Sequence, residues 1–349
     1  MSNRRDFLRK AGVATVAGAG ALAAPAIAKA QNTIRWRFQT YAGAALGEHV
    51  TKPIIDAINT AAKGELHIDL YYADQIVPTS ELFRALQAGT IDAVHSDDDS
   101  MASPAEVATF GGYFPLATKQ ILDVPVLFKQ YGLADIWREA YRKVGGVVWL
   151  AASGQDPCHF VTKKPIRSLA DLHGLRLYTF PTAGRFLGQF GVVPVSIPYE
   201  DAQVAVQTGE LDGMCWCGIT ESYTVGWADV TDHFLINNIS GAWIGSFFVN
   251  EKKWAELPPH LKSLLMTAIE AGNNYRDQWY WGGEAKLRAG GDKLKLTSVP
   301  MAEWKTVEDA AKTFWKEIAQ QSETAAKVVK IFEDYNAVIE KAGAPYVFG

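Results

Sequence analysis

Two short stretches of this sequence crowd together residues able to do chemistry. "HSDDDS" sets Asp97, Asp98 and Asp99 side by side, and "CWCGIT" sets Cys215, Trp216 and Cys217 in a row. Adjacent carboxylates accept hydrogen bonds from a cationic or hydroxyl-rich ligand or hold a hard metal, although a run of like charges also reads as a solvated loop. An aromatic wall beside carboxylates suits an ammonium group. Tyr178 and Phe180 in "LYTF" supply a flat ring and a hydroxyl to such a wall, and Trp216 supplies another. The pair Cys215 and Cys217, with Cys158, lacks histidines at metal-ligand spacing and reads as buried free thiols rather than a soft-metal centre. Lone His159 reads as satisfied structure. No G-x-S-x-G elbow, H-E-x-x-H, P-loop or dinucleotide fingerprint occurs. A binding protein is the leading expectation, and a metal-assisted hydrolase built on the Asp triplet is the lesser alternative.

The elements that must position these residues are written twice. "VPTSELFRALQAGTIDAV" (77–94) returns as "IPYEDAQVAVQTGELDGM" (197–214), with Pro, Ala, Gln, Gly and Asp repeated in register. In each copy an apolar-periodic helix ends at a glycine, Gly89 or Gly209, and a short apolar strand follows. Strands "HIDLYY" (67–72) and "VVPVSI" (192–197) precede the helices, so each copy reads as strand–helix–strand with the two strands as parallel neighbours. Two such units predict an α/β protein of two lobes, with the ligand in a cleft beyond the carboxyl ends of the strands. The segments Ser96–Ser100 and Cys215–Thr220 then face one another across it. "TIRWRFQTYAG" (33–43) reads as a first strand ending in the loop that carries Tyr41, and residues 49–64 as its following helix. Long helices are expected over 257–291 and 303–341.

The N-terminal thirty residues read as an export leader. Arg4 and Arg5 precede an Ala/Gly-rich stretch and a small-x-small site at Ala28–Ala30, the order of a twin-arginine signal peptide. The remainder divides into lobe I over 31–150 with a return segment near 215–250, lobe II over 151–214, and connecting and C-terminal helices over 251–349. The 34 Lys and Arg against 38 Asp and Glu give a formal charge of −4, and loss of a basic leader makes the chain more acidic still. That balance argues against nucleic acid or anionic membrane as partners. Composition sets no oligomeric state.

With "ELFRALQAGTIDAV", "SLADLHGLRL" and "GVVPVSIPYEDAQVAVQTGELDG", the chain from about residue 33 onward resembles the DctP-like solute-binding proteins of TRAP transporters. The resemblance is nearest to the branch that binds 2-oxo acids. It implies a two-lobed periplasmic-binding-protein fold that closes on one small solute and delivers it to a membrane permease. By family position, Gln155 is a polar ligand contact and Trp243 a cleft residue. Tyr178 stands where the family places the Arg that pairs with a ligand carboxylate, and Arg185 is the best substitute for it. Cys215 stands where that branch often has a Glu that helps hold a cation, so a bound metal is doubtful and no cofactor is expected. The family default is a monocarboxylate or 2-oxo acid. The alternative is a cationic, zwitterionic or polyhydroxy solute held by aspartates and aromatic rings.

Overall fold

In the computed structural model, residues 33–197 and 199–343 are described. The leader expected over residues 1–30 lies outside them. The chain opens with β1 (Ile34–Thr40), α1 (Ala44–Val50), α2 (Lys52–Ala61), β2 (Leu66–Tyr71), α3 (Leu82–Ala88) and β3 (Ala93–Ser96). Next come α4 (Asp123–Gln130), α5 (Leu133–Val144) and β4 (Val147–Gly154). The second lobe is built from β5 (Cys158–Thr162), β6 (Arg176–Thr179), α6 (Pro181–Leu187), β7 (Val193–Val195), α7 (Tyr199–Thr208), β8 (Gly213–Cys215), α8 (Ile219–Thr224) and β9 (His233–Ser240). Then follow β10 (Ile244–Asn250), α9 (Glu251–Glu256), α10 (Pro259–Gly290), β11 (Lys295–Thr297), α11 (Met301–Ala319) and α12 (Glu323–Ala342).

The strands form two sheets, β2-β1-β3-β10-β4 and β11-β9-β5-β8-β6-β7. The α/β, two-lobed expectation holds. Of the return segment expected near 215–250, only Ile244–Asn250 is a strand of the first sheet, while β8 and β9 belong to the second. No helix among the described residues is long and apolar enough to cross a membrane.

One topological expectation fails in both lobes for the same reason. β2 and β3 are not neighbours, because each pairs in parallel with β1, which lies between them. β7 and β8 likewise flank β6. The chain winds outward from the first strand and then crosses back over it, which sends successive helices to opposite faces and buries both. Ile54, Ile55 and Ile58 of α2 accordingly pack with Ala93 on one face of the sheet. Leu82, Phe83 and Leu86 of α3 pack with Val94 on the other.

The repeated Gly and Asp have one structural job, done twice. Gly89 ends α3 in the left-handed region at φ 77°, and Gly209 lies at φ 83° just past α7. Arg37 in β1 donates through its backbone N–H to Asp92 (2.7 Å) and through its guanidinium to Asp92 (3.3 Å) and the Gly89 carbonyl (2.9 Å). Arg176 in β6 does the same to Asp212 (2.9 and 3.1 Å) and the Gly209 carbonyl (2.8 Å). Each arginine thus ties the middle strand of its parallel three-strand unit to the end of the crossover helix.

Two expected helices are each broken in two. Helix 49–64 divides at Thr51, whose hydroxyl meets Thr40 Oγ1 (3.0 Å) and His95 Nδ1 (3.2 Å), and Pro53 then starts the second piece. Helix 303–341 divides at Ser322, whose Oγ accepts the N–H of Ala325 at 3.0 Å. α10 runs unbroken for 32 residues, about 48 Å at 1.5 Å per residue. It packs on α2 of the first lobe and α8 of the second.

Candidate functional site

A cavity of about 730 Å³ opens between the two sheets, within the usual range for small-molecule sites. It lies beyond the carboxyl ends of the parallel strands, where open α/β sheets place their ligands. The first lobe contributes Tyr41 and the start of α1, the loop from Asp74 to Ser80, and Asp97 and Ser100 after β3. The second contributes Tyr178 and Thr179 from β6, Tyr199, Trp216 and Glu221. The segments after β3 and β8 do face each other.

The three aspartates do three different things, and the solvated-loop reading of them does not survive: Asp97 and Asp98 are 1% and 0% exposed. Asp97 Oδ1 accepts the N–H of Ser100 at 2.7 Å, while its buried Oδ2 has no hydrogen-bond partner. Burial, with Asp99 and Asp98 adding repulsion, lifts its carboxyl to about 7. Asp98 turns into the first lobe's core, where it accepts from the Tyr141 hydroxyl and from Ser246 Oγ (3.0 Å). Burial raises it to about 7 as well. Asp99 reaches across to the second lobe and accepts the Thr182 N–H at 2.9 Å, at the start of α6.

The aromatic wall is continuous. Trp216 stacks on Phe180 (ring centroids 3.8 Å apart) and on Tyr178 (4.8 Å), with Tyr199 at 5.9 Å. On the facing side Tyr41 lies 4.8 Å from Trp243. Trp243 sits behind the cavity, in a bed that exists because residue 245 is glycine. A Cβ there would fall 1.8 Å from the indole. Gln155 also lies behind, its Oε1 accepting from the hydroxyl of Tyr41 (2.5 Å), with the Tyr280 hydroxyl oxygen 3.0 Å away. Arg185 is absent from the cavity lining; its guanidinium rests 5.0 Å from the Phe314 ring centre.

Glu221, like Tyr199, is a lining residue that sequence reasoning passed over. It sits in the first turn of α8, five residues beyond Trp216, and is 3% exposed. Its Oε2 accepts from the Tyr280 hydroxyl at 2.8 Å. Burial outweighs that bond and a second from the Trp216 side chain, and with Glu284 nearby the carboxyl is lifted to about 7. Asp156 beside it is pushed well up by burial, Glu221 and Glu284. The only sequence signal was an acidic residue opening a helix directly after the aromatic segment.

Among the described lining residues there are carboxylates on both lobes and no Lys, Arg or His. The fully buried Arg276 lies behind the site and donates to the carbonyls of Gly154 (3.0 Å) and Val50 (3.4 Å). The described residues contain no group of three or more His, Cys, Asp or Glu arranged to hold a metal. Cys158, Cys215 and Cys217 are buried and free, with Sγ of Cys158 and Cys215 3.5 Å apart.

Residues 42–322 match the family described as bacterial extracellular solute-binding protein, family 7 (DctP). The chain belongs to this family. Among its relatives of known structure is a TRAP periplasmic solute binding protein from Chromohalobacter salexigens, crystallised with bound (S)-(+)-2-amino-1-propanol. It is 65% identical and superposes with a TM-score of 0.89, over 91% of this chain and 100% of that one. A monocarboxylate 2-oxoacid-binding periplasmic protein of Nostoc sp. is 24% identical over 75% of this chain and 73% of that one. A TRAP protein from Pseudoalteromonas atlantica with bound sodium and pyruvate shares the fold at 20% identity, with a TM-score of 0.78 over 88% and 95% of the two chains. Family 7 proteins are solute-binding receptors, and in this member the two lobes supply opposite walls of one acidic, aromatic cavity.

Proposed function

We propose that this family 7 protein is the extracytoplasmic receptor of a TRAP transporter and captures a small primary amine of the amino-alcohol class. It carries that amine to the membrane permease without transforming it, after export by the twin-arginine leader expected at its N-terminus. One observation carries the ligand class: the cavity lining presents Asp97 and Glu221 with the rings of Tyr178, Tyr199 and Trp216, and no cationic side chain among its described residues. A carboxylate solute would forgo a charge-assisted hydrogen bond worth ~1.5–3 kcal/mol and meet like charge from both lobes. An ammonium group meets two carboxylates and the negative faces of the rings. The amino alcohol bound to the 65% identical relative belongs to the same chemical class. This departs from the carboxylate default, because Tyr178 stands where the family resemblance expects the clamping Arg, and the Arg185 guanidinium rests on the Phe314 ring.

The test is calorimetry with three solutes of one skeleton: 2-amino-1-propanol, 1,2-propanediol and lactate, with pyruvate added for the oxo-acid default. Binding of the amine with weak or absent binding of the diol and both acids is expected. Tight binding of lactate or pyruvate without the amine would overturn the proposal.

A further inference from the structure

Two buried carboxylates outside the cavity lining hold the turn that carries Trp216 and Glu221. Gly218 N–H donates to Asp156 Oδ2 at 2.7 Å, and two residues on, Thr220 N–H donates to Glu284 Oε1 at 2.9 Å. Both acceptors come from inter-lobe elements: Asp156 from the crossing between β4 and β5, Glu284 from α10. Each is secured in turn. Tyr113 donates its hydroxyl proton to Asp156 Oδ1 (3.0 Å), and the Trp243 backbone N–H donates to the Asp156 backbone carbonyl (3.1 Å). Arg288 holds Glu284 Oε2 at 3.0 and 3.2 Å and also reaches His159 Nε2 at 2.8 Å.

The approach is too close for any side chain at two positions. A Cβ on Gly218 would lie 2.3 Å from Glu284 Oε1 and 3.2 Å from Asp156 Oδ2. One on Gly283, next to Glu284, would lie 2.5 Å from the Thr220 side chain. α10 and α8 meet through these two glycines, with the carboxylates filling the space beside Gly218 and the Thr220 side chain filling that beside Gly283.

We infer that Asp156 and Glu284 are positioning residues for the solute site: they fix the 216–221 turn so that Trp216 and Glu221 face the cavity together, and the charge of Glu284 strengthens the site's preference for a cation. The cation preference rests on the amine reading above; the positioning does not. Glu284→Gln keeps a carbonyl oxygen for the Thr220 N–H and removes the charge, whereas Glu284→Ala removes both. The experiment measures hydrogen exchange of a peptide spanning 214–224 without ligand, and 2-amino-1-propanol affinity by calorimetry, in the full chain.

Exchange of that segment should be unchanged in Glu284→Gln and at least tenfold faster in Glu284→Ala, the loss of a bond to a charged acceptor. Amine affinity should fall severalfold in the Gln variant and more than tenfold in the Ala variant. Unchanged exchange in a folded Glu284→Ala protein overturns the positioning, and unchanged amine affinity in Glu284→Gln overturns the charge role. Should Glu284→Ala not fold, Asp156→Ala replaces it, with accelerated exchange expected at Gly218 and unchanged exchange again overturning the positioning. If the wild type binds no amine, the proposed function fails, and the exchange comparison alone decides the positioning.

Discussion

Glu221 and Asp97 stand on opposite lobes, both buried and both lifted to about 7 chiefly by burial. Glu221 is faced by Tyr280, Trp216, Glu284 and Asp156, so no cation in direct contact holds it ionised. The ammonium group of the proposed ligand would supply that cation. Replacing Glu221 by Gln should therefore weaken amine binding by about 10- to 100-fold, the worth of a charge-assisted bond, with little loss of fold stability by urea titration. The pH dependence follows in sign. Below about 7 both carboxyls hold protons in the free protein, and binding a cation must expel them, so amine affinity should rise as pH increases through 7. A carboxyl raised in the folded state binds more protons there than in the unfolded chain, whose ordinary value is about 4. The ligand-free protein should thus lose stability as pH climbs from about 4 through about 7, and excess amine should restore it. Melting curves across that range, with and without 2-amino-1-propanol, check both statements; a flat amine affinity between pH 5 and 8 would contradict the first.

At the scale of the element, the repeated unit owes its identities to a local geometric need. Gly89 and Gly209 take the left-handed turn that lets a helix stop and a strand begin, while Asp92 and Asp212 accept from arginines that also hold the glycine carbonyls. No heavy atom lies within 4 Å of a Cβ placed on Gly209, and at Gly89 the nearest is at ordinary contact distance, 3.8 Å. Alanine at either site therefore meets backbone strain and little else. Each substitution should cost about 1 kcal/mol by chemical denaturation, and similar amounts in the two lobes. A cost above about 3 kcal/mol in one lobe alone would show that the two units are not mechanically equivalent.

For the whole molecule, the proposed amine reading predicts closure on the bound cation. Asp97 on one lobe and Glu221 on the other line the same cavity, and a bound ammonium between them offsets their mutual repulsion. α10, packed against both lobes, and the crossings near Gln155 and Ser240–Ile244 are the elements that join the lobes. Amine at a hundredfold excess over Kd should stabilise the protein by about 2.7 kcal/mol and reduce its radius of gyration in X-ray scattering. An unchanged radius with a full thermal shift would mean that the lobes are already closed without solute.

Periodicity, turn glycines and the doubled Gly and Asp are local properties, and from them the sequence by itself determined two α/β lobes and the strand ends where a ligand belongs. It also pointed to Asp97 and Trp216, which follow strand ends directly, and to Tyr178 near the carboxyl end of β6, and all three line the cavity. What it could not decide was orientation and company. Three identical neighbours, Asp97 to Asp99, point at the cavity, at Tyr141 and at Thr182 respectively, since backbone direction in a loop depends on what packs around it. Arg185 is one surface helix face away from the site that needed a cation. The order β2-β1-β3, which placed β1 between two strands read as neighbours, came from burial of both sheet faces, a demand of the assembled layers. Glu221 beside Asp156 and Glu284 joins residues more than sixty positions apart, and only the meeting of α8 with α10 and the β4–β5 crossing makes them one acidic cluster.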